Sequence, residues 1–481
     1  MSEVLIRTLT GEMSSLSAEA VDSLAAGLSG DLLTPDHADF AESTLIWNAM
    51  IEKQPALVVR PATKTDVQKT VDFAREQGLE LSIKGGGHNI AGLALSDRGI
   101  TLDMSRLNTV EVDVAQGVAR VGAGCKLGEV DRATQEHGLA TVLGFVSETG
   151  VAGLTLGGGF GYLTRQFGWT TDSLVEVEIV TADSQVRRAS PEENADLFWA
   201  LRGGGGNFGV VSEFVFRVHA VGPEITAGLI AWSAEEAESV LDLYRGISSS
   251  ASRELTLVLL MRNAPPAPWL DEDKHGQPMI AIVAVHTGSS EQAAADLAPI
   301  QSHGNPWADL LQVKTYVAQQ SMLDATQPKG LHYYWKSEFV PELSDQLLAT
   351  VRAQFVGLTA PANQIVLFHV EGALGEHPED DGAVGNRDAA YVCAIASASA
   401  GAELVPANRD WVRKAWAAVQ PFSTGGNYIN FQTEDEESTR IDESYRGNSE
   451  RLAKVKAIYD PTNFFRVNRN IQPLSEVNDS G

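Results

Sequence analysis

At 481 residues the chain is longer than one hydrophobic core usually grows, so two domains are expected. Its formal net charge of −27 argues against phosphate backbones and anionic membrane surfaces as partners, because both would be repelled. The two cysteines, Cys125 and Cys393, make neither a disulfide framework nor a metal cluster, and nothing resembles a membrane span or a secretory leader, so a soluble, cytoplasmic, metal-free protein is expected.

Residues before about 45 read as a polar, helical arm. Residues 56–60 form a short buried strand. Thr63 and Asp66 then have capping-box spacing, Val67, Val71 and Ala74 fall on one face, and Gly78 stops the helix. The next strand, 79–83, runs into Gly85-Gly86-Gly87-His88-Asn89. Glycines free to take positive φ can turn their N–H groups onto an anion such as a diphosphate, here with an imidazole at the lip. Residues 110–114 and 118–121 read as a hairpin, and 126–137 have helical spacing.

A second glycine run follows, Gly150-Val151-Ala152-Gly153 with Gly157-Gly158-Gly159-Phe160-Gly161. It is no Rossmann fingerprint, lacking the helix opening and the acid about twenty positions on, and no P-loop, lacking Gly-Lys-Ser/Thr. Such a run suits backbone packed flat against a planar ligand. Ser190-Pro191-Glu192-Glu193 predicts a helix start, and that helix ends in a third cluster, Gly203 to Gly206 with Gly209. Glycine clusters separated by strands describe a mixed α+β domain whose loops gather around one elongated ligand. From about 222 the character changes. Strands near 254–261, 279–285, 365–370 and 390–395 alternate with helical stretches near 235–244 and 342–354, predicting an antiparallel sheet backed by helices. The proline-rich loop 263–268 and the acidic run Glu434 to Glu437 are expected to face solvent.

The C-terminus adds Tyr445-Arg446-Gly447-Asn448, Tyr459-Asp460-Pro461-Thr462-Asn463-Phe464-Phe465-Arg466 and Asn468-Arg469-Asn470-Ile471. With the glycine loops, these motifs resemble the flavoprotein superfamily of vanillyl-alcohol oxidase and p-cresol methylhydroxylase (PCMH), and within it the berberine bridge enzyme-like oxidases. The resemblance implies an N-terminal arm over 1–50, a two-subdomain PCMH-type FAD-binding domain over 51–221, a substrate domain over 222–440 and a return to the FAD domain over 441–481. It implies FAD held by Gly85, Gly86, Gly87, Asn89, Ile90, Gly92, Gly150, Val151, Gly153, Gly157, Gly158, Gly159, Gly161, Val211, Asn468 and Asn470. By the same resemblance His88 bonds covalently to the flavin 8α-methyl. Many members add a second link through Gly-x-Cys-x-x-x-Gly; here Val146 takes the cysteine's place between Gly144 and Gly150, so attachment through His88 only is expected.

Plant members read Tyr-x-Asn-Tyr, with the last tyrosine as base, whereas this chain has Tyr428-Ile429-Asn430-Phe431. Phe431 cannot accept a proton, which leaves Tyr428 and Asn430 as catalytic candidates. A phenol, ordinarily near pKa ~10, needs a lowered pKa to act as a base at neutral pH. Tyr334, Lys336 and Arg387 are candidates for orienting substrate, although surface ion pairs are the commoner role for such a lysine and arginine and core packing for such a tyrosine. The implied activity is that of an FAD-dependent oxidase: hydride leaves a C–H bond beside oxygen or nitrogen of a small organic substrate, and O2 takes the electrons to give H2O2. A flavin dehydrogenase with another acceptor, or a flavin-holding binding protein without turnover, are the alternatives.

Overall fold

The computed structural model describes residues 3–474 apart from 357 and 359. Two sheets build the half that carries the glycine loops. In the first, strands run in the spatial order Asp31–Leu33, Leu57–Arg60, Ile100–Asp103, Leu81–Lys84, the last three mutually parallel. Leu57, Val58 and Val59 are fully buried, as a strand covered on both faces requires. The second is antiparallel, in the order Val186–Ala189, Leu174–Val180, Val210–Arg217, Val118–Gly122, Val110–Asp113. Helix Lys64–Glu76 packs against both sheets, and its start is the expected capping box: the Thr63 hydroxyl accepts from the Asp66 N–H, and the Asp66 carboxylate accepts from the Thr63 N–H.

The other half is an eight-stranded antiparallel sheet drawn wholly from residues 224–399. Its order is Ala308–Asp309, Glu224–Ser233, Pro278–His286, Leu255–Asn263, Gln364–His369, Tyr391–Ser399, His332–Val340, and Gln312–Thr315 also pairs with Glu224–Ser233. Helices Ala237–Ser248, Ser290–Gln301, Asp345–Val356 and Val405–Val419 bury one face in a core that includes Tyr244, Leu297, Leu347 and Trp411. Side chains alternate along each strand, so the opposite face turns Val258, Leu260, Val366 and Phe368 towards the glycine loops. The mixed α+β architecture, with helices on one side of an antiparallel sheet, is therefore as expected.

Past residue 440 the chain comes back to the first half. Helix Ser449–Tyr459 buries Lys456, whose ammonium donates to Asp460 (2.6 Å), the Asn207 carbonyl (2.6 Å) and the Phe465 carbonyl (2.9 Å). Asn207 in turn binds Arg469 and Ile471 through its side chain, which holds the last segment on the third glycine cluster. Among the described residues no helix is long and apolar enough to cross a membrane.

Three local expectations differ. The N-terminal arm is a hairpin, Val4–Arg7 with Met13–Leu16, before its helix Ala18–Gly27. Ser190 does not cap a helix: its hydroxyl accepts from the N–H groups of Glu192 and Glu193 in a turn, Asn194 sits at φ +50°, and the helix is Ala195–Leu201. The acidic run faces solvent through Glu434, Asp435 and Glu437, but the Glu436 side chain does not. Glu436 is buried between Lys336 (2.7 Å) and Arg440 (2.8 Å), and Asp435 accepts from Tyr334 and Arg413.

Candidate functional site

Strand Leu81–Lys84 delivers the first glycine loop, and its last side chain anchors it: Lys84 Nζ donates to Asp103 (3.0 Å) and to the Ser43 carbonyl (2.8 Å) in the interior. Beyond it the loop lies directly on the second run. A Cβ on Gly86 would stand 2.3 Å from the Gly150 nitrogen, and one on Gly150 would stand 2.2 Å from the Gly86 nitrogen. Only paired glycines allow that approach. Asn430 closes over the same run, since a Cβ on Gly157 would meet its side-chain oxygen at 2.3 Å.

A cavity of about 770 Å³ opens along these loops and continues to the sheet. Its volume lies within the usual range of cofactor and ligand sites. Of the expected site residues its wall contains Gly85, Gly86, Gly87, His88, Asn89, Ile90, Gly150, Gly153, Gly157, Val211, Asn468, Tyr428 and Asn430, with Val146 among them. Gly205 and Gly206 bring in the third cluster. Gly92, Val151, Gly158, Gly159, Gly161 and Asn470 do not line it. Val151 is fully buried at the start of the short helix Val151–Leu156, so it supports the wall from behind.

His88 stands at one end. Burial, with Lys329 adding to it, pushes its pKa down to about 4, so the imidazole is neutral at pH 7. Trp47 stacks on the ring at 5.5 Å and 15°, and Tyr333 stacks behind Trp47 at 3.6 Å. Nδ1 faces the Thr149 hydroxyl at 3.4 Å, a weak contact, and Nε2 has no partner among the described residues. A neutral ring with so little of its hydrogen-bonding capacity used suits bond formation to a ligand carbon. The cysteines offer no competing nucleophile here. Both are buried outside the cavity wall, and burial pushes both thiols up to about 12.

Tyr428 is fully enclosed, with Phe160 at 4.8 Å and Phe431 at 4.9 Å, and it precedes a single turn, Ile429–Phe431, rather than lying in a strand. Its oxygen accepts from Asn430 Nδ2 (2.9 Å), which also reaches the Leu154 carbonyl (3.2 Å). Burial pushes the phenol pKa up, whereas a base would need it lowered. Tyr428 therefore keeps its proton at neutral pH.

The sheet wall follows from register. Trp335, Ala396, Gln364, Arg262 and Met279 are directly paired across five strands, and all line the cavity. Tyr334 and Lys336, one position either side of Trp335, point to the helices: Tyr334 bonds Asp435 (3.0 Å) and Arg413 (3.0 Å), and Lys336 bonds Glu436. Arg387 makes a two-pronged pair with Asp172 at 2.7 and 2.8 Å. None of these three lines the cavity. Trp47, Gln364, Arg262 and Phe368 were not singled out from sequence; Trp47 lies in a loop, and only the strand register distinguishes the other three from their neighbours. The proline loop is at the surface as expected, with Pro266 and Pro268 exposed, and it also lines the cavity rim through Pro265, Pro266, Ala267 and Pro268.

Comparison with known proteins gives a consistent picture. The FAD binding domain model matches residues 55–190, and the model for berberine and berberine-like proteins matches residues 427–472. The (R)-6-hydroxynicotine oxidase of Paenarthrobacter nicotinovorans is 30% identical over 456 residues, covering 93% of this chain and 97% of the relative. The crystal structure of 6-hydroxy-D-nicotine oxidase from Arthrobacter nicotinovorans superposes with a TM-score of 0.82 at 27% identity, over 93% of this chain and 98% of that one. Glucooligosaccharide oxidase from Acremonium strictum, whose FAD is described as 6-S-cysteinyl and 8α-N1-histidyl, shares the fold at a TM-score of 0.84 and 23% identity, over 95% of this chain and 100% of that one.

Proposed function

The chain belongs to the berberine bridge enzyme-like FAD-linked oxidoreductases, and on that footing we propose that it is an oxidase taking hydride from a C–H bond beside oxygen or nitrogen of a small organic substrate and reducing O2 to H2O2. The observation that carries this reading is the continuity of one cavity from a neutral imidazole, along a backbone-built cradle, to an apolar sheet wall.

The residues fit the cofactor. Gly86 and Gly150 pack backbone on backbone, which brings main chain rather than side chains to the cavity for a diphosphate and flat rings. His88 in the same wall is a neutral ring whose Nδ1 makes only the 3.4 Å contact with Thr149, so that nitrogen is left for a covalent link. Val146 puts an apolar side chain in the cavity wall and offers no sulfur, so we assign a single link, through His88. Bound FAD supplies the two-electron chemistry. The chain supplies position and polarity. The aromatic enclosure of Phe160, Phe368 and Phe431 excludes water, and Tyr428, with its oxygen already accepting from Asn430, has its own proton to donate to a substrate heteroatom. No residue at this end acts as a strong base, so a substrate amine or alcohol is expected to enter neutral.

Two measurements test the reading. Acid-precipitated wild-type protein should stay yellow, while His88→Ala should release its colour to the supernatant; flavin lost by the wild type overturns the covalent assignment. After anaerobic bleaching by substrate, mixing with air-saturated buffer should restore the oxidised spectrum rapidly, and slow recovery overturns the oxidase assignment.

A further inference from the structure

Among the described residues the cavity wall carries no aspartate and no glutamate, and with His88 neutral its charged side chains are Arg262 and Arg469. Arg469 is satisfied within the protein, donating to the Gln432 and Thr433 carbonyls and lying near Glu434, Asp435 and Glu436. Arg262 is not. Its one hydrogen bond runs from Nε to the carbonyl of its neighbour Asn263 at 3.2 Å, and its two terminal nitrogens have no partner among the described residues. Burial alone perturbs it, lowering its pKa, with no carboxylate close enough to oppose the shift. In a chain with 63 acids against 36 lysines and arginines, a partly buried guanidinium without a counter-ion is an uncompensated expense. Gln364, directly across the strand from it, also turns to the cavity an amide without a partner among the described residues.

We propose that the substrate carries an anionic group, in the simplest case a carboxylate, which binds between Arg262 and Gln364 under the rim loop of Pro265 and Pro266. The inference rests on reading this cavity as the substrate chamber. A guanidinium presents paired N–H groups that match the two oxygens of a carboxylate, and the amide adds a further donor. The rest of the wall is apolar, including Leu229, Leu260, Met279 and Val366. Phe368, four residues along the strand from Gln364, contacts Phe160 and Phe431 beside Tyr428. Four residues of strand span roughly 13 Å. The substrate is therefore an elongated apolar or aromatic body with its anion at one end and its oxidisable carbon at the other.

The test is isothermal titration calorimetry on the purified full chain with 4-phenylbutyrate, the neutral 4-phenylbutyramide and the cationic 4-phenylbutylamine. The carboxylate should bind at least about tenfold tighter than either, more weakly as salt rises, and Arg262→Met should abolish that preference. Arg262→Met should also melt no lower than wild type, because it removes a cation without a partner. Equal affinities, a preference for the amine, no binding of any probe, or a preference that survives Arg262→Met overturns the proposal. The visible flavin band of the same sample reports separately on the oxidase reading. A yellow protein that bleaches with amines and ignores the carboxylate refutes only the anion site, whereas a colourless protein with an Arg262-dependent preference refutes only the flavin.

Discussion

Two walls face each other across the cavity and are built by opposite means. The glycine wall is made largely of backbone, with Gly86 lying on Gly150 and Gly157 under Asn430, at distances that leave no room for one more carbon atom. The sheet wall is made of side chains set on a regular ladder, where Trp335, Gln364 and Arg262 can each change without moving the strand that carries them. The first kind of wall fixes one ligand, and the second allows a new substrate at the price of a few substitutions. That division fits a family in which one fold holds FAD while substrates differ.

The harshest way to break the contrast is Gly86→Ala. The added methyl meets Gly150 nitrogen at 2.3 Å and its Cα at 2.6 Å, both backbone atoms that cannot swing aside. A loss of more than about 3 kcal/mol in stability, with loss of bound flavin, is expected from such overpacking. Thermal melts and the visible absorbance of the purified variant check both.

The seam between the walls gives the next effect. Asp131, in helix Leu127–Gln135, accepts through Oδ2 from Gln320 Nε2 (3.1 Å) of helix Tyr316–Gln320, and Gln320 also reaches the Gly144 carbonyl (3.3 Å). Its other oxygen has no partner among the described residues, and burial pushes its pKa up to about 7. The folded-state pKa lies above the unfolded one, so this group's stabilising contribution is complete below pH ~4 and is lost as pH rises through 7. Asp131→Asn keeps the shape without the ionisation. It should raise stability at pH 4.5 by no more than about 1 kcal/mol and at pH 8.5 by roughly 2–4 kcal/mol. Melts at the two pH values read the difference, and equal shifts at both would exclude ionisation of Asp131 as the cause.

The same contrast explains what the sequence disclosed. The capping box at Thr63 and Asp66, the three glycine clusters and His88 are local patterns: each needs only its neighbours in the chain to state its geometry. Glu436 and Lys336 meet across 100 residues, so the acidic run could not announce that this one side chain is buried. Ser190 had a good local cap signal, yet its hydroxyl closed a turn on Glu192 and Glu193 instead. The catalytic candidates Tyr428 and Asn430 came to the cavity because a motif carried them, whereas Tyr334 and Lys336 were chosen on a strand where the choice depends on parity alone.

Parity supplies the mildest and sharpest test. Trp335 faces the cavity with its ring 5.0 Å from Phe431 and edge-on to Trp47 at 5.8 Å, so Trp335→Ala removes wall next to the His88 end without touching a hydrogen bond of the helix face. Substrate KM should rise about tenfold, equivalent to 1.4 kcal/mol, with flavin retained. Tyr334, one residue before it, spends its hydroxyl on Asp435 and Arg413 behind the sheet. Tyr334→Phe should cost about 1 kcal/mol in a thermal melt and leave KM where it was. Oxygen-uptake kinetics and melts on the pair separate the two faces. If KM instead followed Tyr334 and ignored Trp335, the strand would be turned the other way, and Arg262 and Gln364, paired to it through Ala396, would lose their place on the cavity wall.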